Sequence, residues 1–377
     1  MLLKKVIAVL LCTVMTAAIL AGCGKTSDKI TGDNGATEAK KFNYAAAYAA
    51  IDPKTVMLTI NGEDVTWEQL YYDIYTVTNN LANQGESITD WTALNSDNVS
   101  YQDAVLNEAF NIALQSAAVR YGAKELKLAL TKENKADIQA KWDAQVSAAG
   151  GEAALLSQLR AQYSSKEIFN NTNEVGALAQ DCFKKLYGEK GDKLSDKEIA
   201  DYTANDGYMM TKHILMLTTT TDENGKSQPV SDTDKAAVYQ KMQDILAKLK
   251  AYKGKDFDTY FDSLMHQYSE DPGLATYPDG YLFQSGDMVS QFEDTTKALE
   301  IGRFSDIIET SYGYHIIYRI PVDYNATPAS YSGSGYSLRF LTAYNMFISV
   351  INNWTSSLNV TKSADYQALD FNKLFAN

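Results

Sequence analysis

Two histidines in this chain keep near-identical company. His213 is followed by Ile-Leu and His315 by Ile-Ile, each within an apolar run of strand character. Strand alternation puts His213 on the face of Leu215 and His315 on that of Ile317. If those strands pair, two imidazoles meet on one inner face and can join a hydrogen-bonded cluster. A lone histidine on an apolar strand face is usually a satisfied core residue; the paired context favours a site. The third histidine, His266, falls on a helix and reads as an ordinary surface or core residue. No two histidines share the spacing of metal ligands, so no metal is expected. No glycine-rich phosphate loop is present, and no cofactor is expected.

The stretch around these histidines must position them. Lys212 to Leu217 reads as a strand, followed by a polar loop with Asn224-Gly225. Ser231 and Asp234 cap a helix to about Tyr252, and a second helix covers Phe257 to Gln267. A Pro- and Gly-rich loop runs from Ser269 to Gly286, with a short helix near Met288 to Phe292. Gly302 to Ile308 leads to a last strand, Tyr314 to Ile320, completing an α+β unit of about 110 residues.

The flanks are helical. Val56 to Ile60 reads as a strand, Asn61-Gly62 as a turn, and Thr66 as the cap of a helix with Trp67, Leu70, Ile74 and Leu81 at helical spacing. Ser100 with Asp103 opens another helix, and further helices cover Lys132 to Ala149, Glu152 to Gln162 and Lys166 to Tyr187. Ser195 with Glu198 forms a capping box before Tyr202. Beyond a Pro, Ser and Gly linker, Val322 to Tyr336, an apolar stripe on Ser337 to Leu358 needs a partner. It is expected to return to the N-terminal helices. The fold class is therefore α+β, a small antiparallel sheet with surrounding helices inserted between mostly α-helical segments.

The N-terminus points to export. Lys4 and Lys5 precede an apolar or small-residue run, Val6 to Leu20, shorter than the ~20 residues of a spanning helix. It ends in Leu20-Ala21-Gly22-Cys23, which resembles a lipobox, so Cys23 is the expected lipidation site and membrane anchor. Cys12 would leave with the signal, and Cys182 then has no partner for an intramolecular disulfide. It reads as a small core residue. The formal charge of −13, or −15 without Lys4 and Lys5, argues against nucleic acid and against adhesion to anionic lipid.

Five ordered motifs carry a family resemblance. Thr211-Lys212-His213-Ile214-Leu215 looks like the first strand of the parvulins, and Gln267-Tyr268-Ser269-Glu270-Asp271 like the loop after their second helix. Gly286-Asp287-Met288 with Gln291-Phe292-Glu293-Asp294 resembles their Gly-x-Met and Phe-Glu pattern. Gly302-Arg303-Phe304-Ser305 fits their Gly-x-x-Ser turn, and Thr310-Ser311-Tyr312-Gly313-Tyr314-His315 their closing strand. The resemblance implies His213, Asp271 and His315 at the catalytic centre, with Met288 and Phe292 lining a proline pocket. One departure stands out. Where the family has Gly-Gly-Asp-Leu-Gly, this chain has Tyr277-Pro278-Asp279-Gly280-Tyr281-Leu282-Phe283. Gly280 takes the place of the pocket leucine, and Leu282 or Phe283 is expected to substitute. The opening "strand, Asn-Gly, Thr-cap, helix" resembles a SurA-like chaperone domain, and the whole chain resembles foldase lipoproteins.

The resulting expectation is a signal peptide at 1–22, a flexible tether at 23–50 and a helical chaperone domain at 51–205. A parvulin-type domain at 206–322 and a returning C-terminal segment at 323–377 follow. The implied function is isomerisation of X-Pro bonds in newly exported, unfolded client proteins, outside the membrane. That reaction needs neither metal nor bond making, only preference for the twisted amide over a barrier of ~18–20 kcal/mol. Oligomeric state is left open, a homodimer included. The alternative is a non-enzymatic holdase with a degenerate parvulin domain.

Overall fold

The computed structural model describes residues 42–376 apart from 87 and 222–224. The signal segment, Cys23 and residues 24–41 lie outside them. The later part of the expected tether is ordered: Tyr44–Ala49 forms α1, capped by Asn43, whose Oδ1 accepts from the Ala46 N–H at 2.9 Å. Its Ala47 is fully buried, so this short helix joins a core rather than trailing from it.

Val56–Ile60 (β1) and Glu63–Thr66 (β2) pair antiparallel across Asn61-Gly62, and Trp67–Asn83 (α2) follows. Thr66 occupies the N-cap position of α2, but its hydroxyl makes no capping bond. The Trp67 and Glu68 N–H groups donate instead to the Thr55 and Pro53 carbonyls, at 2.8 and 2.9 Å. The free donors of the first turn are thus met by backbone, and the side-chain cap is not needed. Tyr101–Glu125 (α3), Lys132–Ala149 (α4), Glu152–Ala161 (α5) and Lys166–Tyr187 (α6) complete the first helical run. Cys182 is buried on α6, and burial pushes its thiol up to about 11, as suits a core residue. No described helix is long and apolar enough to cross a membrane.

Asp196–Tyr202 (α7), opened by the Ser195–Glu198 capping box, leads into the mixed region. Met209–Leu217 (β3) is followed by a hairpin of Thr219–Thr221 (β4) and Ser227–Pro229 (β5), where a plain loop was expected. Asp232–Ala251 (α8) and Phe257–Tyr268 (α9) come next. The Pro- and Gly-rich loop contains a 3-10 turn at Pro272–Ala275 and a short strand, Tyr281–Phe283 (β6). Ser290–Ala298 (α10), Ile308–Glu309 (β7) and Gly313–Ile320 (β8) close the region. The four-stranded sheet has order β6-β3-β8-β7 and is antiparallel throughout.

The register divides this sheet into two faces. His213 pairs with Ile317, Leu215 with His315 and Thr211 with Tyr281, so these six residues share one face. Lys212, Ile214, Tyr318 and Leu282 point the other way. There Lys212 is buried and pairs with Asp258 and Asp262 of α9, at 3.0 and 2.8 Å, while Tyr318 packs on Phe257 and Phe261. The histidine face receives α10 through Phe292.

After β8 the chain continues through Leu338–Thr355 (α11), Val360–Lys362 (β9), Ala364–Gln367 (α12) and Phe371–Leu374 (α13). β9 pairs antiparallel with β1, and Phe371 and Phe375 enter the core built from Trp67, Tyr71, Ile74 and Trp91. Two compact units result. One joins the described residues up to Leu186 with Met346 onward; the other spans Tyr187–Asn345 and takes in more than residues 206–322. In the second unit Arg339 donates to the Leu194 carbonyl and pairs with Asp196, tying α11 to the start of α7.

Candidate active site

β3 and β8 bring the two histidines together because they lie one diagonal step apart on adjacent central strands. The ring centroids are 5.2 Å apart, and Nδ1 of His315 is 3.3 Å from Nδ1 of His213. Asp271 arrives from a loop that uses the free edge of β3. β6 pairs with β3 only as far as Thr211, so the backbone groups of Leu215 and Leu217 on that edge need other partners. The Leu215 N–H donates to Ser269 Oγ at 3.1 Å, the Glu270 N–H to the Leu215 carbonyl at 2.7 Å, and the Leu217 N–H to Glu270 Oε2 at 2.8 Å. With Ser269 and Glu270 so held, Asp271 Oδ2 sits 3.0 Å from Nε2 of His213.

Two further residues join the cluster that sequence reasoning did not single out. Tyr281 donates its hydroxyl to Asp271 Oδ2 at 2.7 Å, and Thr310 Oγ1 lies 2.8 Å from Nε2 of His315. Thr310 was visible as a member of the closing motif; Tyr281 carried no signal beyond its place next to Gly280.

The ionised acid constrains how the protons run. Burial and the neighbouring imidazole of His213 lower His315 to about 3, so its ring is neutral. Burial opposes the charged form of Asp271, but the hydrogen bonds from His213 and Tyr281 outweigh it, and the carboxyl is held at about 2. An ionised carboxylate only accepts, so His213 Nε2 is its donor. In the state where His213 is neutral, its Nδ1 can accept from His315 Nδ1–H at 3.3 Å, and His315 Nε2 from Thr310 at 2.8 Å. In that state the chain Thr310–His315–His213–Asp271 has one direction, and Tyr281 meets it from the other side.

The apolar wall beside this chain comes from α10 and β6. Phe292, nearly fully buried, sets its ring edge-on to His213 and His315, with centroids at 5.1 and 5.6 Å. Phe283 is fully buried and packs with Phe292, Met209 and Ile317, with half-buried Met288 at the margin. Glu293 holds the loop carrying Met288 by accepting from the Gly286 N–H at 2.7 Å. Arg319 donates to the carbonyls of Leu299 and Lys297, fastening the end of α10 to β8. Of the two residues expected to replace the pocket leucine, only Phe283 is on this face. Leu282 pairs with Met210 and is buried on the opposite side, because β6 is a strand and its neighbours alternate.

Residues 213–320 match the family model of the PPIC-type PPIase domain, also called rotamase. The chain is 36% identical over 129 residues to the foldase protein PrsA of Geobacillus sp. (strain WCH70), covering 33% of this chain and 37% of that protein. It is 36% identical over 84 residues to the putative peptidyl-prolyl cis-trans isomerase Cbf2 of Campylobacter jejuni, covering 22% of this chain and 30% of that one. The chain thus spans about a third of the length of these relatives. Among solved structures, the peptidylprolyl isomerase (PrsA) from Bacillus cereus is 20% identical, covers 77% of this chain and 100% of its own, and gives a TM-score of 0.27. The order of motifs, the shared face of two histidines and an acid, and the family match converge: residues 213–320 are a parvulin-type peptidyl-prolyl isomerase domain of the kind carried by PrsA foldases.

Proposed function

We propose that this chain is a lipid-anchored foldase that isomerises X-Pro bonds in exported proteins outside the cell membrane. One observation carries the reading: two imidazoles, a carboxylate and the rings of Phe283 and Phe292 share one face of a four-stranded sheet. The rings and Met288 seat the prolyl ring, and the polar chain faces the amide. A planar amide holds partial negative charge on its oxygen, which twisting removes. An ionised Asp271 behind His213 disfavours the planar form more than the twisted one, which is what acceleration requires. A roughly 10⁴-fold gain corresponds to ~5.5 kcal/mol of such preference. His213, His315 and Asp271 are the residues proposed to act on the amide.

The helical unit is proposed to hold unfolded clients while the isomerase domain works. Export and anchoring rest on the N-terminal sequence, with Cys23 as the lipid-bearing residue and the membrane as its partner. A fatty-acid analogue should label the parent and not Cys23→Ala. The decisive test of the activity is a protease-free isomerisation assay with a short X-Pro peptide. Catalysis by the parent that falls at least tenfold in His213→Ala is expected. No catalysis by the parent, together with full suppression of client aggregation, would favour the non-enzymatic holdase.

A further inference from the structure

Tyr281 is placed by two glycines. Gly280, at φ +107°, lets the chain approach β3 so closely that a Cβ there would fall 2.5 Å from the Thr211 carbonyl oxygen. Tyr281 then enters the sheet opposite Thr211, on the histidine face. At Gly273 a Cβ would fall 1.8 Å from the Tyr281 hydroxyl oxygen, so that turn must lack a side chain for the hydroxyl to reach its place. The ring lies between Tyr277, centroids 4.5 Å apart, and His213, at 5.4 Å.

What the hydroxyl does there follows from the carboxylate's partners. Oδ1 of Asp271 accepts from the Gly273 N–H at 3.0 Å. Oδ2 accepts from Tyr281 at 2.7 Å and from His213 at 3.0 Å. A carboxylate on a single Cβ can rotate about χ2, which is a soft torsion. Gly273 and Tyr281 grip opposite oxygens, so rotation is blocked and Oδ2 stays aimed at His213 Nε2. That aim selects the Nε2–H tautomer and leaves Nδ1 to accept from His315. Packing alone would be served by a phenylalanine; the hydroxyl is the part that reaches the acid.

We propose that Tyr281 is a positioning residue that locks the Asp271 carboxylate and, through it, the tautomer of His213. This rests on the reading of His213, His315 and Asp271 as the isomerase centre. The pKa of Asp271, held at about 2 partly by this hydroxyl, agrees with the geometry.

The test uses the full chain and Tyr281→Phe, which keeps the ring. Imidazole ¹⁵N shifts of the neutral ring, recorded well above the ordinary histidine range, should show His213 as the Nε2–H tautomer in the parent and as a mixture in the variant. The ¹³C shift of the Asp271 carboxyl should stay that of the ion at about pH 4 in the parent and begin to titrate there in the variant. kcat/KM for an X-Pro peptide should fall about three- to tenfold, the scale of one hydrogen bond to a charged group, with KM little changed. In an Asp271→Ala background the same substitution should cost nothing more. An unchanged tautomer and carboxyl titration would overturn the proposal. So would an equal loss in both backgrounds, which would mean that the ring packing and not the acid transmits the effect. A parent without isomerase activity would defeat the functional reading, while the two spectroscopic readouts would still decide the role of Tyr281.

Discussion

His213 and His315 meet through like atoms, Nδ1 to Nδ1 at 3.3 Å. One proton serves that contact, so the two rings cannot both be donors or both acceptors across it. With His315 lowered to about 3 by burial and by the other imidazole, the pair carries at most the charge of His213 above about pH 4. His315 is therefore a neutral link whose own stability contribution is present above its unfolded pKa of ~6.5 and is lost as pH falls towards 3.

Residues that act as one chain lose most of their function at the first break. His213→Ala and His315→Ala should each lower kcat/KM, and the double variant should lose little beyond the worse single one. A double-mutant cycle on an X-Pro peptide measures this, and additive losses would rule out a coupled pair.

The apolar wall should separate from the polar chain in the kinetics. Met288→Ala and Phe292→Ala remove surface that seats the prolyl ring, at about 1–3 kcal/mol each, and should raise KM. Leu282→Ala removes a buried side chain from the opposite face, so it should lower stability by ~2–4 kcal/mol and leave KM alone. Thermal melts run beside the kinetics distinguish the two effects.

The site was legible where periodicity and register carry information. The two histidine strands are each long enough for alternation to assign a face, and their similar contexts suggested pairing. β6 gave no such signal. Three residues in a Pro- and Gly-rich loop become a strand only because the edge of β3 offers them partners. Without that strand the faces of Tyr281, Leu282 and Phe283 could not be assigned, and the choice between Leu282 and Phe283 stayed open. β9 is equally short, and its partner β1 lies some three hundred residues earlier. A return of this segment was expected, but no local pattern showed that Phe371 and Phe375 complete the core around Trp91. Thr66 had the right type and place for a cap; what no local pattern could show was that the carbonyls of Pro53 and Thr55 were already there.

Gly280 offers a direct test of how the loop was rebuilt. Restoring a leucine there would satisfy the family pattern, but the backbone is at φ +107° and the new Cβ would strike the Thr211 carbonyl. Gly280→Leu should therefore displace β6 and with it Tyr281, lowering both the melting temperature and kcat/KM. A gain in activity with an unchanged melt would show that the pocket accepts the leucine without moving the strand.

The last prediction concerns a carboxyl far from this site. Asp73 on α2 is only 4% exposed, Gln69 Nε2 donates to its Oδ1 at 3.1 Å, and its Oδ2 has no hydrogen-bond partner. Burial raises its pKa to about 8, with Gln69 offsetting only part of the rise. In the unfolded chain the value is ~3.9. Between these limits the folded state binds the proton and the unfolded state does not, so stability falls as pH rises through the window. Asp73→Asn is a neutral isostere and lacks that slope. The stability of the variant relative to the parent should therefore rise by a few kcal/mol between pH 5 and pH 8, at ~1.4 kcal/mol per pKa unit. All four tryptophans, Trp67, Trp91, Trp142 and Trp354, belong to the same compact unit as Asp73. Urea unfolding followed by tryptophan fluorescence at the two pH values therefore reads this unit alone, and a parent–variant difference that is the same at both would mean that Asp73 is ionised in the folded protein after all.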